Sequence, residues 1–434
     1  MRPTTAPPRP YRQLQQRLDR NVTGAPDSPT FLGILQVLFT PDEADLARHI
    51  PTTFIPLRRL AGRAHIPEDR LGDMVTSMAE RGLVFDMETD GRRYVALTPV
   101  VIGFFEFTFM RTRENYPVKE LAALFDQYFF ERGDFAHAVF EGQTQIGRAL
   151  VREEGLPDED HTEVLDWERA THIVESARSH AVSLCACRNH ARQAGHPCTH
   201  PMRMCLSLNF GADMLAKQGI AERISRSEAM EILERSKDAG LAQTGDNVQR
   251  NVSYICNCCA CSCGMMNAIR RFDLRNAIVT SNYISEIDPQ RCNGCTRCVK
   301  ACPVSAISVV KGERDGHRHN WAVRDADLCL GCGVCYSACK RGALTMKKRA
   351  RRVYTPETTF DRIVAMAIER GKLGDLLLDN LEGWGPHALA RVLQVIEKTP
   401  FTTAVNAVAP LKSTFLKGVV YGARRGTGSA ASLV

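Results

Sequence analysis

The residues of this sequence that are best suited to chemistry are its 17 cysteines, and all of them lie between Cys185 and Cys339. The 184 residues before this window and the 95 residues after it contain none. A secreted disulfide scaffold, in contrast, is usually short and spreads its cysteines through the chain. Clustered thiols in a reducing compartment bind metal more often than they bind each other. The distribution therefore predicts a metal-binding, soluble, cytoplasmic protein.

Eight of the cysteines form two runs with the same spacing, C-x2-C-x2-C-x3-C, which are offset by 37 positions. The first run comprises Cys292, Cys295, Cys298 and Cys302, and the second comprises Cys329, Cys332, Cys335 and Cys339. Pro303 follows the first run, whereas Lys340 follows the second. Thiolates are soft ligands that suit iron–sulfur clusters. Zinc is the alternative, but its cysteine ligands usually form separated C-x2-C pairs rather than two triplets with a distal fourth cysteine.

This duplicated spacing resembles the bacterial two-cluster ferredoxin domain. Lys340 in place of a second proline is a departure that removes no ligand. In that family the fourth cysteine of each run binds the cluster of the other run. The resemblance therefore implies two [4Fe–4S] clusters, the first held by Cys292, Cys295, Cys298 and Cys339, and the second by Cys329, Cys332, Cys335 and Cys302. Glycines between the ligands would permit the tight turns that this needs, namely Gly294, Gly331 and Gly333.

The remaining nine cysteines form two groups whose spacings match no cluster rule. The first group contains Cys185, Cys187, Cys198 and Cys205, and the second contains Cys256, Cys258, Cys259, Cys261 and Cys263. We predict that they hold one or two additional centres, either iron–sulfur clusters or zinc, with the pairing left open. Buried free thiols would also be compatible with these residues, as would a dithiol at Cys258-Cys259. Arg188 could offset the charge of a cluster, and the candidate additional zinc ligands are His190, His196 and His200.

The elements around the cysteines predict an α+β multidomain protein. Residues 1–30 are rich in proline, arginine and glutamine and are predicted to form a mobile arm. After the arm we expect a winged-helix-like domain at 31–110, a helical domain with two cysteine clusters at 111–275, a β/α two-cluster 4Fe-4S ferredoxin domain at 280–350 and a helical tail at 355–434. The polar segment between the two cysteine runs is predicted to be a longer hairpin or loop.

Residues 41–97 show three helices followed by a hairpin, which resembles a winged helix-turn-helix domain. The helices are predicted at Asp42–Ile50, Pro56–Ala64 and Glu68–Arg81, and the strands at Leu83–Met87 and Arg92–Leu97. The third helix would contact DNA, but it carries four acidic and two basic residues. Phosphate attraction supplies most non-specific DNA affinity. We therefore favour protein docking, with a redox-sensing DNA-binding regulator as the alternative.

The strongest local charge follows the last cysteine. Residues Lys340–Arg352 include seven basic residues and no acidic one, which equals the net charge of +7 for the whole chain. This segment is predicted to attract an acidic redox partner, and an anionic membrane surface or nucleic acid are the alternatives. Phe31–Phe39 is too short to span a bilayer, so no transmembrane segment is expected.

The arrangement as a whole resembles uncharacterised multi-cluster iron–sulfur proteins of anaerobic bacteria, a resemblance that implies no particular reaction. It rests on the winged-helix-like region, the C-x-C-R segment, the cysteine-dense run Tyr254–Met265 and the duplicated motif. The sequence contains no phosphate loop, dinucleotide fingerprint or nucleophile elbow. We therefore predict a carrier of single electrons, or an oxidoreductase subunit, rather than a stand-alone enzyme. An iron–sulfur enzyme that acts at the additional cysteines is a further alternative.

Overall fold

The computed structural model describes residues 8–114, 116–157, 165–314 and 317–378. These residues form both helices and β-sheets, in agreement with the α+β class that the sequence predicts. The additional cysteines lie around one sheet, and the duplicated cysteine motif lies in a separate pair of small sheets.

The first helix, α1 (Arg9–Asp19), lies within the segment predicted to be a mobile arm, so that prediction is wrong for these residues. Its apolar side chains recur at three- and four-residue spacing and are buried in the main core: Tyr11, Leu14 and Leu18. Gln15 is also buried, and its Nε2 donates to the carbonyl of Ala25 at 2.8 Å. The polar composition of the segment hid this narrow apolar stripe.

The next part of the chain forms a helical region with a three-stranded sheet. Its elements are α2 (Pro29–Leu38), α3 (Pro41–Ala47), β1 (Ile55–Pro56), α4 (Leu57–Ala64), α5 (Glu68–Glu80), β2 (Val84–Thr89) and β3 (Arg92–Leu97). The strands lie in the order β1-β3-β2 and pair antiparallel. The three helices and the hairpin predicted here are present. The hairpin turns at Asp90 and Gly91, whose φ angles are 50° and 68°.

The middle of the chain contains a six-stranded sheet. Its elements are α6 (Phe105–Phe109), α7 (Val118–Phe130), α8 (Asp134–Phe140), β4 (Gly147–Ala149), α9 (Ala170–Ser176), β5 (His180–Leu184), α10 (Ala186–Gln193), β6 (Arg203–Leu208), α11 (Asn209–Lys217), β7 (Glu222–Arg223), α12 (Arg226–Asp238), β8 (Ala242–Asp246), β9 (Tyr254–Cys258) and α13 (Gly264–Phe272). The strand order is β4-β8-β9-β6-β5-β7, and neighbouring strands are antiparallel.

This sheet corrects the prediction of a helical domain at 111–275. The strands are short, and β4 and β8 are buried along their whole length. A strand buried on both faces lacks the alternation of apolar and polar residues by which strands are recognised in a sequence. Strand β9 also contains Cys256 and Cys258, which are not typical strand residues. Helices α9 and α12 cover one side of the sheet, where Ile173 and Ile232 belong to a shared apolar cluster.

The duplicated cysteine motif lies in a small unit of two paired sheets and two short helices. Its elements are β10 (Tyr283–Ile287), α14 (Arg297–Ala301), β11 (Ile307–Arg314), β12 (His317–Arg324), α15 (Val334–Ala338) and β13 (Leu344–Lys348). β10 pairs antiparallel with β13, and so does β11 with β12. Of the two predictions for the segment between the cysteine runs, a longer hairpin or a loop, the structure shows the hairpin, formed by β11 and β12.

The tail begins with two helices, α16 (Thr359–Glu369) and α17 (Leu373–Leu378), and residues 379–434 of the predicted helical tail lie outside the described residues. Thr358 begins α16 with a capping box that involves Asp361. Arg362 joins α16 to strand β8 through a buried ion pair, with 2.9 Å between its Nη1 and Oδ1 of Asp246. Across the ranges that the structure describes, no helix is long and apolar enough to cross a membrane.

We predict that docking of α1 contributes to stability. Replacing Leu14 with alanine should lower the free energy of unfolding by about 2–5 kcal/mol, because it leaves a cavity at a fully buried position. Arg12→Ala, on the exposed side of the same helix, should change it by no more than about 0.5 kcal/mol. Chemical denaturation followed by circular dichroism measures both changes. Equal stabilities of the two variants would mean that α1 is not docked in solution.

Candidate metal centres

Four cysteines line a cavity between α14 and the end of α15, which we name the first cavity. Three of them come from the first run and one from the second: Cys292, Cys295, Cys298 and Cys339. Apolar side chains complete part of the wall, including Ile287 and Leu344. The empty space is about 360 Å³. The last cysteine of the second run thus lies with the first three cysteines of the first run.

A second cavity, of about 320 Å³, has the reciprocal composition. Its cysteines are Cys302 from the end of α14 and, from the second run, Cys329, Cys332 and Cys335. The three cysteines of the second run are buried, whereas Cys295 in the first cavity is exposed. The structure therefore brings together the two four-cysteine sets expected from the sequence. The second cavity is the better shielded of the two from water.

Two glycines allow the cysteine loops to pass close to neighbouring backbone. Gly294 and Gly331 have φ angles of 66° and 72°, which favour glycine. A Cβ atom at Gly294 would lie 2.6 Å from the Cβ of Asn320, and one at Gly331 would clash with the carbonyl oxygen of Tyr283. Neither loop could keep its path with a larger residue at these positions. The glycines predicted to permit tight turns are therefore also required for close packing.

Backbone amides donate hydrogen bonds to cysteine sulfurs in both cavities. The amide of Ala322 lies 3.3 Å from Sγ of Cys292 in the first cavity. The amide of Ala306 lies 3.2 Å from Sγ of Cys302 in the second. Hydrogen bonds to sulfur and the degree of burial are the main means by which a protein sets the potential of an iron–sulfur centre. Strand β12 and the residue that precedes β11 thus supply part of the environment of the two cavities.

Two arginines lie beside the second cavity, and the sequence did not identify either of them as a residue of the site. Arg349 donates from Nη2 to the carbonyl of Cys329 at 2.5 Å. Arg152 comes from far earlier in the chain, and its Cβ packs against Gly333. Burial raises the pKa of Cys332 to about 12, and Arg152 opposes this effect through its charge. Because no local motif connects Arg152 with the cysteines, its role depends on how the sheet of the middle region packs here.

The basic segment Lys340–Arg352 is exposed except at Arg349 among its basic residues. Arg349 is half-buried and bonds to backbone carbonyls, and Lys347 pairs with Glu286 at 3.2 Å. Exposed members include Lys340, next to the first cavity, and the pair Arg351 and Arg352. Six of the seven basic residues are therefore exposed, and this basic surface begins beside the first cavity, which Arg341 lines.

Six of the nine additional cysteines form one group around strands β6 and β9, which we name the six-thiol group. Each thiol of this group interacts electrostatically with the next in the order Cys185, Cys205, Cys256, Cys258, Cys263 and Cys187. Interactions with neighbouring thiols, together with burial, raise the pKa of Cys185, Cys256 and Cys263. Adjacent buried thiolates repel each other, and a bound cation removes that penalty. The donor set is thus suited to metal.

The remaining three cysteines, Cys198, Cys259 and Cys261, form a separate three-thiol group. Sγ of Cys261 lies 3.2 Å from Sγ of both Cys198 and Cys259, and the latter two are 3.7 Å apart. The adjacent residues Cys258 and Cys259 therefore belong to different groups, which argues against a dithiol formed by this pair. The sequence left open which of the nine additional cysteines lie together. The structure divides them into one group of six and one group of three.

A buried guanidinium lies beside both groups. Arg188 is fully buried on α10, and its Nη1 donates to the carbonyl of Asn257 at 3.0 Å. Its Nε and Nη2 have no hydrogen-bond partner, and no carboxylate of the described chain forms an ion pair with it. Although burial alone would lower the pKa of Arg188, the nearby sulfurs of Cys185 and Cys259 raise it. A buried cation requires a compensating anion, and these thiols are the groups that can supply it.

The three histidines predicted as candidate zinc ligands have different partners. Nε2 of His190 lies 3.0 Å from the carbonyl oxygen of Ala122, and Nε2 of His196 lies 3.5 Å from Oδ1 of Asp126. His200 lies near the backbone of Ala239. Among the residues that the structure describes, these three histidines therefore do not belong to the three-thiol group.

Comparison with known proteins identifies one part of the chain. Residues 285–346 match the family model of the 4Fe-4S dicluster domain. This part is therefore an iron–sulfur, ferredoxin-like domain, as its cysteine spacing predicts, and its eight thiols, close-packed glycine loops and amide–sulfur bonds fit such centres. No curated protein and no solved structure matches the chain. The wider resemblance to multi-cluster proteins of anaerobes remains a prediction.

We predict that Gly331→Ala lowers the iron content of the protein, because the new methyl group forces the loop between Cys329 and Cys332 away from Tyr283. Gly91→Ala is the matched control, since Gly91 has a similar φ of 68° but no atom within 4 Å of the place that a Cβ would take. Iron and acid-labile sulfide, measured after anaerobic purification, should fall in the first variant only. Unchanged iron in Gly331→Ala would show that this close approach is not needed.

Proposed function

We propose that this protein relays single electrons between redox partners through two [4Fe–4S] clusters in residues 285–346. The observation that carries the proposal is the reciprocal composition of the two cavities, each of which takes its fourth cysteine from the other run. Cys292, Cys295, Cys298 and Cys339 would hold one cluster, and Cys329, Cys332, Cys335 and Cys302 the other. When bound, such clusters supply reversible one-electron chemistry.

The residues of the chain would set different environments for the two centres. The second cavity has buried cysteines and two neighbouring guanidinium groups, from Arg152 and Arg349. The first cavity has an exposed cysteine, Cys295, and opens beside Lys340. Burial and nearby charge both change the potential of a centre. We therefore propose that the centre in the first cavity exchanges electrons with partner proteins. The centre in the second cavity would carry electrons to and from the interior of the protein.

The six-thiol group supports an additional centre in the middle region. It offers more thiols than the four that one cluster needs, and Arg188 supplies a buried positive charge beside it. An anionic iron–sulfur cluster would satisfy the unpartnered Nε and Nη2 atoms of that arginine. We therefore propose that this group holds a further cluster and extends the electron path. An enzyme that acts at this site is a second candidate function.

Partner contacts are proposed for two surfaces. The exposed basic residues near the first cavity would attract an acidic redox protein, and the N-terminal helices with their hairpin would act as a winged-helix-like docking module. DNA binding is less well supported, because Arg93 of the hairpin pairs with Asp86 at 2.8 Å and also donates to Thr76. We propose a cytoplasmic carrier or oxidoreductase subunit, with a redox-responsive DNA-binding regulator as the alternative.

The crossed ligand sets predict which substitutions have the same effect. Cys302→Ser should remove the same electron paramagnetic resonance signal as Cys332→Ser, although these residues belong to different runs. Cys298→Ser should instead match Cys339→Ser. Identical spectra for Cys302→Ser and Cys298→Ser would contradict the crossed assignment, because those two cysteines belong to the same run.

Iron analysis of the unmodified protein accompanies this test. We expect about eight iron per chain from the two ferredoxin-type centres and about twelve with a cluster in the six-thiol group. Fewer than about four iron, with zinc in their place, would contradict the proposed function.

Charge reversal at the exposed basic residues should slow electron exchange with anionic reagents. We expect the variant Lys340→Glu, Arg351→Glu, Arg352→Glu to be oxidised by ferricyanide at least about threefold more slowly at low salt, with the difference lost at high salt. A cationic cobalt(III) complex should show the opposite change. Stopped-flow absorbance measures both rates.

The control for this experiment reverses an equal number of exposed charges on α11 and α12. The substitutions are Lys217→Glu, Arg226→Glu and Arg235→Glu. This variant has the same net charge, so it should show only a small change in rate if the charges of the basic segment Lys340–Arg352 steer the reagent. Equal slowing in both variants would mean that net charge, rather than this surface, determines the rate.

A further inference from the structure

The three-thiol group is more compact than an iron–sulfur cubane allows. Its three Sγ–Sγ distances are 3.2, 3.2 and 3.7 Å. Thiolates that bind one zinc ion at about 2.3 Å in tetrahedral geometry lie about 3.8 Å apart. A cubane binds each of its thiolates through a different iron atom, which separates the sulfurs much further. The distances therefore correspond to ligands of a single ion.

The chain presents these thiols from two segments. Cys259 and Cys261 lie in the turn between β9 and α13, and Cys198 follows α10. Arg270 on α13 donates from Nη1 to the carbonyl of Ala260 at 3.0 Å, which holds the turn against the helix. The amide of Cys263 donates to the carbonyl of Cys259 at 3.2 Å. The turn is thus positioned by contacts that do not involve the sulfur atoms.

The charge near the group agrees with such an ion. Three thiolates on a divalent cation leave one net negative charge. The guanidinium of Arg188 lies beside Cys259 and is fully buried, without a carboxylate partner in the described ranges. A buried cation is stabilised by an anionic neighbour. The same arginine would thus serve the six-thiol group on one side and the three-thiol group on the other.

The group has three protein ligands and access to solvent. Cys261 is exposed and Cys198 is half-buried. Among the residues that the structure describes, no other ligand atom of histidine, cysteine, aspartate or glutamate lies within 4.8 Å of all three sulfurs. Structural zinc sites have four protein ligands, whereas catalytic sites have three and leave a position for water or substrate. The three-thiol group has the second arrangement.

We propose that Cys198, Cys259 and Cys261 bind one zinc ion, whose fourth position is open to water or to a small thiolate from solution. This site is separate from the clusters proposed for the cavities and the six-thiol group, and it does not depend on the electron-transfer role. It divides the nine additional cysteines between two kinds of metal chemistry. We expect the open position of the zinc ion to bind small ligands with a soft donor atom, because thiophilic metal ions prefer sulfur.

Metal analysis of the full chain tests the proposal. Cys198→Ala, Cys261→Ala should lose about one zinc per chain and keep its iron. Cys295→Ser, which changes an exposed cysteine of the first cavity, is the control and should lose iron but keep zinc. If the double variant instead loses iron and keeps zinc, or if neither metal changes, the proposal is wrong.

Cobalt substitution tests the open position independently. Protein produced in cobalt-supplemented medium should show a thiolate-to-cobalt charge-transfer band. This band should be absent from the double variant Cys198→Ala, Cys261→Ala. Addition of 2-mercaptoethanol should change this absorption, because a fourth thiolate replaces water. Absorption that depends on the two cysteines but does not respond to 2-mercaptoethanol would mean that the fourth position is closed, and would overturn that part of the proposal.

Discussion

Each cavity of the ferredoxin-like domain needs a cysteine from the other run, so neither run can complete its site alone. Cys302 ends α14 and lies in the second cavity, while Cys339 ends α15 and lies in the first. This exchange requires the two short helices to pack together and β10 to pair with β13. The antiparallel pairing brings together the beginning and the end of the domain, and both sites depend on it.

Positive charge from distant segments accompanies the thiols in both parts of the protein. Arg152 and Arg349 lie beside the second cavity, and Arg188 lies beside the additional cysteines. A guanidinium loses hydration when it is buried, so it requires anionic or carbonyl partners at its new position. Thiolates on a metal provide such partners, and the arginines in turn stabilise their charge. Burial of the thiols and burial of the arginines are thus linked.

The eight cysteines of the two runs could be grouped because their spacing resembles the two-cluster ferredoxin pattern, in which the fourth cysteine of each run joins the other run. The hairpin at Asp90 and Gly91 was also predictable, since those residues adopt the left-handed conformations that such a turn needs. Helix α1 was missed because only Tyr11, Leu14 and Leu18 reveal its buried side in a polar segment. The six-stranded sheet was missed because its strands are short and two of them, β4 and β8, are buried along their whole length and show no alternation.

By itself, the sequence determined that this chain has the duplicated cysteine motif of an iron–sulfur domain, and three cysteines within seven residues must lie close together in any fold. Only the tertiary structure decided how the nine additional cysteines are grouped. Cys258 and Cys259 are neighbours in the chain but contribute to different groups, and Cys198 joins Cys261 from 63 residues away. The order of the strands brings these cysteines together. β6 and β9 are adjacent in the sheet, although 45 residues lie between the end of β6 and the start of β9.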